Sequence, residues 1–548
     1  VNRTPKTSES LVISRLFATF ARCAFAGALT IAAAAPAFAE EPPTNGGAIT
    51  FALSPEPPFV LTSINTTLQM GIVGSKIMEP LMALGVDLEM RPVLATSWEI
   101  SPDGLTYTFH LREGVTWHDG EPFTSADVQF TIMDVLKKLH PRGRSAFAKV
   151  TAVETPDEHT AILKLSEPAP PLLVALASGY EAPMTPKHVF GGTDIPANPA
   201  INQPIGTGPF VFKEWEKGNY ILLEKNPDYW DAGKPHLDRI VFRIINDASA
   251  RAAGLESGEI DIAGLSPVPL TDMVRLQDDP DLTITTDGYA YMSPFMLMEV
   301  NTRKPPLDDR RVRQAIAYAV NRDLMTKIVW MGYGKPATSP IPSPVEAFHA
   351  AEGTIPAYPY DTAKAEALLD EAGYPMKGGK RFSITIDPIP LGTDYVRTAE
   401  FIKQQLGKVG IDASIRSQDL PTFFKRVYTD YDFDIDSLYY GAFADPTQGV
   451  QRLFWSKSIQ PGVVYSNPTG YANPEMDRLL EAAQSENDPE KRKALYLDMQ
   501  ALAMTDLSVI PLMETRFATI ASAKLKNHTI TADGVIGGSF ADAYLIAD

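Results

Sequence analysis

The feature that most limits what this chain can become is a change of character at Ala39. Before it, Arg3, Lys6, Arg15 and Arg22 stand against a single acid, Glu9. An uncharged, Ala-rich run over 24–35 follows, Pro36 breaks it, and Ala37-Phe38-Ala39 forms a small-x-small site. That order predicts a secretory signal peptide over 1–39. A membrane anchor is the competing reading, but the run is short for about 30 Å of hydrocarbon. Cys23 precedes the apolar run, the wrong side for a lipid anchor. The mature chain is therefore expected in the periplasm of a Gram-negative cell. No later segment is apolar over a membrane-spanning length, so everything after Ala39 must build its cores in water.

Of 548 residues, 49 basic and 67 acidic side chains, cleavage removes 39, four and one, leaving 509 residues with a net charge of −21. It also removes Cys23, the only cysteine. Such a chain has no disulfide framework and no Cys-based metal centre, and no cofactor is expected. The acidic excess argues against a phosphate-backbone binder, so no nucleic-acid partner is expected. A length near 500 predicts about three domain-sized units.

Strands and helices alternate irregularly, which reads as mixed α/β. Leu105, Tyr107, Phe109 and Leu111 alternate with polar residues, as in a half-buried strand, with Trp98-Glu99-Ile100 as the partner. Thr124, Asp309 and Asp361 are placed to cap helices. Residues 476–504 read as a helical pair broken at Asn487-Asp488-Pro489. Signals for catalysis are missing. There is no G-x-S-x-G, no phosphate loop and no H-E-x-x-H, and the eight His residues are scattered. His188 and His236 read as hydrogen-bonded structural or surface groups. An enzyme is not expected.

Four blocks, in order, carry a resemblance. The first is ATSWEISPDGLTYTF at 95–109, continuing as LREGVTWHDG at 111–120 and FTSADV at 123–128. The second is GTGPF at 206–210, with Trp215 and NPDYW at 226–230. The third is GEID at 258–261, and the fourth NTRKPP at 301–306 with DDRRVRQAI at 308–316. Together they resemble the family 5 extracellular solute-binding proteins of ABC importers, which include dipeptide-, oligopeptide- and nickel-binding proteins. The resemblance covers essentially the whole mature chain.

It implies an α/β, periplasmic binding protein-like fold (type II, cluster C): two lobes closing at a hinge, with an inserted third domain. Lobe I would take 45–75, 186–286 and 511–548, the inserted domain 76–185, and lobe II 287–510. Hinge strands are expected near 285–291 and 509–513. Trp98, Phe109 and Trp117 are expected to fill the core of the inserted domain. Gly206 and Gly208 are expected to permit a tight turn.

Peptide-binding members hold the ligand's α-ammonium with an Asp in lobe II. The matching run here is YYGAFADP at 439–446, and anchored on Asp445-Pro446 that Asp falls on Ala442. A buried ammonium without counter-charge costs several kcal/mol, so Glu299 or Asp445 would have to replace it. Tyr439, Tyr440 and Phe443 are candidates to stack on ligand, with strand core as the alternative. The family also lines its pocket from the loop at 63–67, which brings in Asn65 and Thr66, and from the strand leaving the first hinge, which brings in Tyr289 and Met292. Met292, Met296 and Met298 weigh toward core. Arg452 and Trp455 are weaker candidates.

The resemblance implies a monomeric receptor. It would capture a peptide or peptide-like small molecule and deliver it to an inner-membrane ABC permease with its ATPase subunits. The alternative is a same-fold receptor for an opine, oligosaccharide or metal chelate. A secreted hydrolase and a chaperone-like peptide holder are weaker rivals.

Overall fold

The computed structural model describes residues 43–546. The predicted signal peptide, Cys23 and the Glu40-Glu41 doublet lie outside them. The alternating pattern at 105–111 forms the strand Thr106–Leu111. Tyr107, Phe109 and Leu111 point into the core, while His110 faces solvent. Its partner Ala95–Ile100 runs antiparallel, with Trp98 opposite Phe109. With Thr160–Leu165 and Val150–Asp157 they complete a four-stranded antiparallel sheet. Phe109 and Trp117 are buried in the core against this sheet, as expected, whereas Trp98 is only half-buried and packs on its margin.

Two larger sheets dominate the rest. In the seven-stranded sheet, Ala48–Leu53 pairs in parallel with Arg239–Ile244, which continues antiparallel into Tyr220–Lys225 and Phe210–Glu216. On the other side lie Ile262–Ala263, Thr519–Ser522 and Leu282–Thr285. The six-stranded sheet has the order Gly334–Pro336, Val509–Thr515, Pro294–Glu299, Ile435–Gly441, Phe382–Pro388, Ile411–Ile415. The chain leaves the first sheet after Thr285 and returns to it at Thr519, so 286–293 and 516–518 are crossings. Residues 509–513 are not the second crossing. They lie inside a strand paired with 294–299 and partly with 334–336, with a shift of register opposite Met296 and Leu297.

Helix starts follow the caps. Asp127 accepts from the Thr124 N–H at 2.9 Å at the head of Ser125–Phe130. Asp309 accepts from the Arg311 N–H at 2.8 Å, and Asp361 from the Lys364 N–H at 2.9 Å. Asn487-Asp488-Pro489 does break the helical pair, with Asp488 capping Pro489–Asp506. Two parts of the second sequence block, GTGPF and NPDYW, converge on one buried acid, Glu79. It accepts from Thr207 at 2.9 Å, Tyr229 at 2.7 Å and the Trp230 indole at 3.0 Å. Burial pushes its carboxyl up to about 7 despite those donors. Gly206 and Gly208 need another account than a tight turn: a Cβ on either would strike the Ile77 carbonyl oxygen, at 1.8 and 2.6 Å. Close backbone approach is what excludes a side chain there.

A second buried acid sits in the centre of the six-stranded sheet. Glu299 accepts from the Tyr428 hydroxyl at 2.9 Å, and Asp436 on the neighbouring strand accepts from the Glu299 N–H at 3.1 Å. Each carboxylate keeps one buried oxygen with no hydrogen-bond partner. Burial raises Glu299 to about 7, and burial together with Glu299 raises Asp436. Asp387 nearby is compensated by Arg416. Carboxyls raised on folding hold protons that the unfolded chain has lost. Their stabilisation is complete below about 4.5 and is lost as pH rises through about 7. Glu299→Gln is therefore expected to flatten the fall of stability between pH 5 and 8 by roughly 1–3 kcal/mol relative to wild type, in paired urea titrations. An unchanged difference between the two pH values would contradict the raised Glu299 carboxyl.

Candidate functional site

The strand Ile435–Gly441 delivers two tyrosines to opposite faces. Tyr440 is 1% exposed, packs against the core, and donates to the Tyr465 carbonyl at 2.7 Å. Tyr439, half-buried, faces Phe517 with ring centroids 5.7 Å apart. The chain then turns sharply. Phe443 takes a left-handed φ of +59°, its N–H bonded to the Met292 carbonyl at 3.0 Å. That conformation is unusual for an aromatic residue. It sets the Phe443 ring edge-on to Tyr291 at 5.9 Å.

Facing these residues is a second wall. The first crossing supplies Gly288, Tyr289, Tyr291 and Met292. The Tyr289 hydroxyl receives the Leu265 N–H at 2.8 Å and shares a hydrogen bond with Thr519 at 2.8 Å, which ties the first crossing to the end of the second. Thr66 comes from the loop ahead of the helix Leu68–Gly74 and Leu68 from its first position, and the Tyr180 hydroxyl donates to the Thr66 carbonyl. Asp533 and Ile536 close the floor. Arg142 reaches in, its guanidinium 5.1 Å from the Tyr180 ring centre and 5.3 Å from that of Phe443, held by Glu181. The enclosed cavity measures about 220 Å³. Burial pushes Tyr180 and Tyr289 up to about 12 and raises Tyr291 well above the usual phenol range, so all three phenols keep their protons at neutral pH. A larger, open depression of about 930 Å³ between 121–139 and 187–196 draws no wall from the six-stranded sheet.

Six of the eight residues singled out from sequence line this cavity: Thr66, Tyr289, Met292, Tyr439, Tyr440 and Phe443. Two do not. The Asn65 side chain turns back on its own loop and accepts from the Thr67 N–H at 2.8 Å. Asp445 is buried in a bidentate pair with Arg492, at 2.7 and 2.9 Å. Glu299, the other acid considered, belongs to the sheet interior described above. Ala442 is fully buried in core packing. Met296 and Met298 are core, and the Trp455 indole donates to Glu481 at 3.0 Å. Arg142, Tyr180, Tyr291, Tyr465 and Asp533 were not singled out. Each enters from an irregular segment where neither a period of two nor one of 3.6 marks an inward face.

A family model described as bacterial extracellular solute-binding proteins, family 5 middle, matches residues 89–462. The glutathione-binding protein GsiB of Salmonella typhi is 30% identical over 488 residues, covering 88% of this chain and 91% of that protein. Among solved structures, DppA from Helicobacter pylori in complex with the peptide STSA is 28% identical. Its TM-score is 0.75, over 92% of this chain and 98% of that one. CtaP, an ABC transporter substrate binding protein from Listeria monocytogenes, is 26% identical with a TM-score of 0.80, over 92% of this chain and all of that one.

Proposed function

This chain belongs to the bacterial extracellular solute-binding proteins of family 5, and from that premise we propose that it captures a peptide or peptide-like solute in the cavity between its two lobes. Members of this family are the substrate-binding components of ABC importers, and binding rather than turnover is their work. Among the described residues no helix is long and apolar enough to cross a membrane. The observation that carries the proposal is the origin of the cavity walls. Tyr439 and Phe443 come with the six-stranded sheet, and Thr66, Tyr289 and Asp533 come from the crossing and the elements around the seven-stranded sheet. A solute touching both sets gains its full contact only when the lobes are together, so binding shifts the population toward the closed form.

The lobe division follows the sheets. Lobe I takes 45–75 and 186–286, 76–185 is the inserted domain, and lobe II runs from 287. The return to lobe I is set at 516–518 instead of 511, because Val509–Thr515 is paired within the six-stranded sheet. Asn65 acts by holding the loop that presents Thr66. The partners of the closed form are an inner-membrane permease and its ATPase subunits, met by a periplasmic monomer. Similar structures also hold Ni(L-His) and agropinic acid, and peptide is favoured over opine, oligosaccharide or metal chelate by the relative named for glutathione, 30% identical over most of the chain, and by the complex with the peptide STSA. Titration calorimetry of the purified mature protein with Ala-Phe, Gly-Leu and Ala-Tyr tests the reading. Saturable binding of at least one is expected. Silence with all three, alongside binding of a non-peptide solute, would sink it.

A further inference from the structure

The charges around the cavity are not balanced. Arg142 is neutralised by Glu181, through its Nε at 2.9 Å and a second guanidinium nitrogen. Asp533, the one carboxylate among the described residues lining the cavity, accepts from Ser178 at 2.8 Å and Thr531 at 3.0 Å, and Lys76, which burial pushes down to about 7, attracts it without an ion pair. Arg452 also lines the cavity, from the short helix Gln451–Phe454. Its guanidinium lies 5.3 Å from the Tyr440 ring centre. Among the described residues it has no carboxylate within ion-pair distance, and its Nε is buried without a hydrogen-bond partner. The Tyr291 hydroxyl, on a side chain 2% exposed, is likewise without a partner.

A buried guanidinium donor left open is costly unless something fills it. We infer that the ligand fills it: the cavity recognises a carboxylate through Arg452, aided by the Tyr291 hydroxyl, and offers a ligand ammonium only Asp533, whose two oxygens already accept from hydroxyls. This rests on the peptide-like reading above and sharpens it. The protein would select its solute by its acid end, and an N-blocked solute would serve as well as a free amine. A guanidinium suits a carboxylate because its fork of donors matches two oxygens. The aromatic walls, Tyr439 and Phe443 among them, suit an organic body rather than an inorganic anion.

Three forms of each dipeptide separate the possibilities: Ala-Phe, Gly-Leu and Ala-Tyr as free acids, as N-acetyl acids and as amides. In wild type, the N-acetyl acid is expected to bind within about threefold of its parent, and the amide about tenfold to a hundredfold more weakly. Arg452→Gln is expected to erase the preference for acid over amide, and Arg452→Lys to restore part of it. Circular dichroism confirms that each variant is folded. A purely structural arginine would weaken acid and amide equally on substitution, and that result overturns the inference. Equal binding of acid and amide by wild type, or loss of binding on N-acetylation, also overturns it while the peptide reading stands. Binding of none of the probes overturns both.

Discussion

Asparagine in place of Asp445 is expected to lower the unfolding free energy by about 3–5 kcal/mol. The two guanidinium–carboxylate bonds of the Arg492–Asp445 pair, at 2.7 and 2.9 Å, are shut away from water, with side-chain exposures of 6% and 3%. Arg492 also donates to the Ala483 carbonyl at 2.8 Å and to Thr447 at 3.0 Å, so it cannot swing out to solvent cheaply. Removing the carboxylate strands a buried cation. The measurement is urea unfolding at pH 7, where the midpoint should fall with the slope unchanged. Dipeptide affinity of the folded variant should hold, because Asp445 does not line the cavity. Intact stability with lost binding would return Asp445 to the ligand site.

Alanine in place of Gly206 is expected to cost about 3 kcal/mol or more. The new Cβ would lie 1.8 Å from the Ile77 oxygen and 2.5 Å from its carbonyl carbon, and both atoms are backbone. No rotamer change relieves the overlap, so two loop segments must separate. Gly407 is the matched control: it lies in the helix Thr393–Lys408 and a Cβ there meets nothing within 4 Å. Gly407→Ala should be neutral or stabilise by about 0.5–1 kcal/mol. Comparable stability of the two variants in thermal unfolding would refute the close-approach account.

What was legible in the sequence follows from the range of the interactions. Local signals read well. The period of two at Tyr107, Phe109 and Leu111 and the caps at Thr124, Asp309 and Asp361 all act within a few residues, and each formed its element. The GTGPF and NPDYW blocks were legible as motifs but not as a cause, because Glu79, which gathers them, lies more than a hundred residues upstream of either. Asp445 was misjudged for the same reason. Arg492 lies 47 residues further on, and nothing in the run 439–446 announces it. The aromatic run was legible through the resemblance, and Tyr439, Tyr440 and Phe443 all line the cavity. Arg142 and Asp533 escaped notice because isolated polar residues on loops carry no pattern. Only the fold brings them to the same cavity.

The central claim is that a solute held between the two lobes favours their closure. Small-angle X-ray scattering tests it most directly, on the mature protein alone and then saturated with whichever dipeptide acid calorimetry shows to bind. The expected result is a smaller radius of gyration in the bound form, with the change disappearing when the ligand is dialysed away. A radius of gyration unchanged by demonstrably bound ligand would contradict the claim and leave a binding protein that does not close.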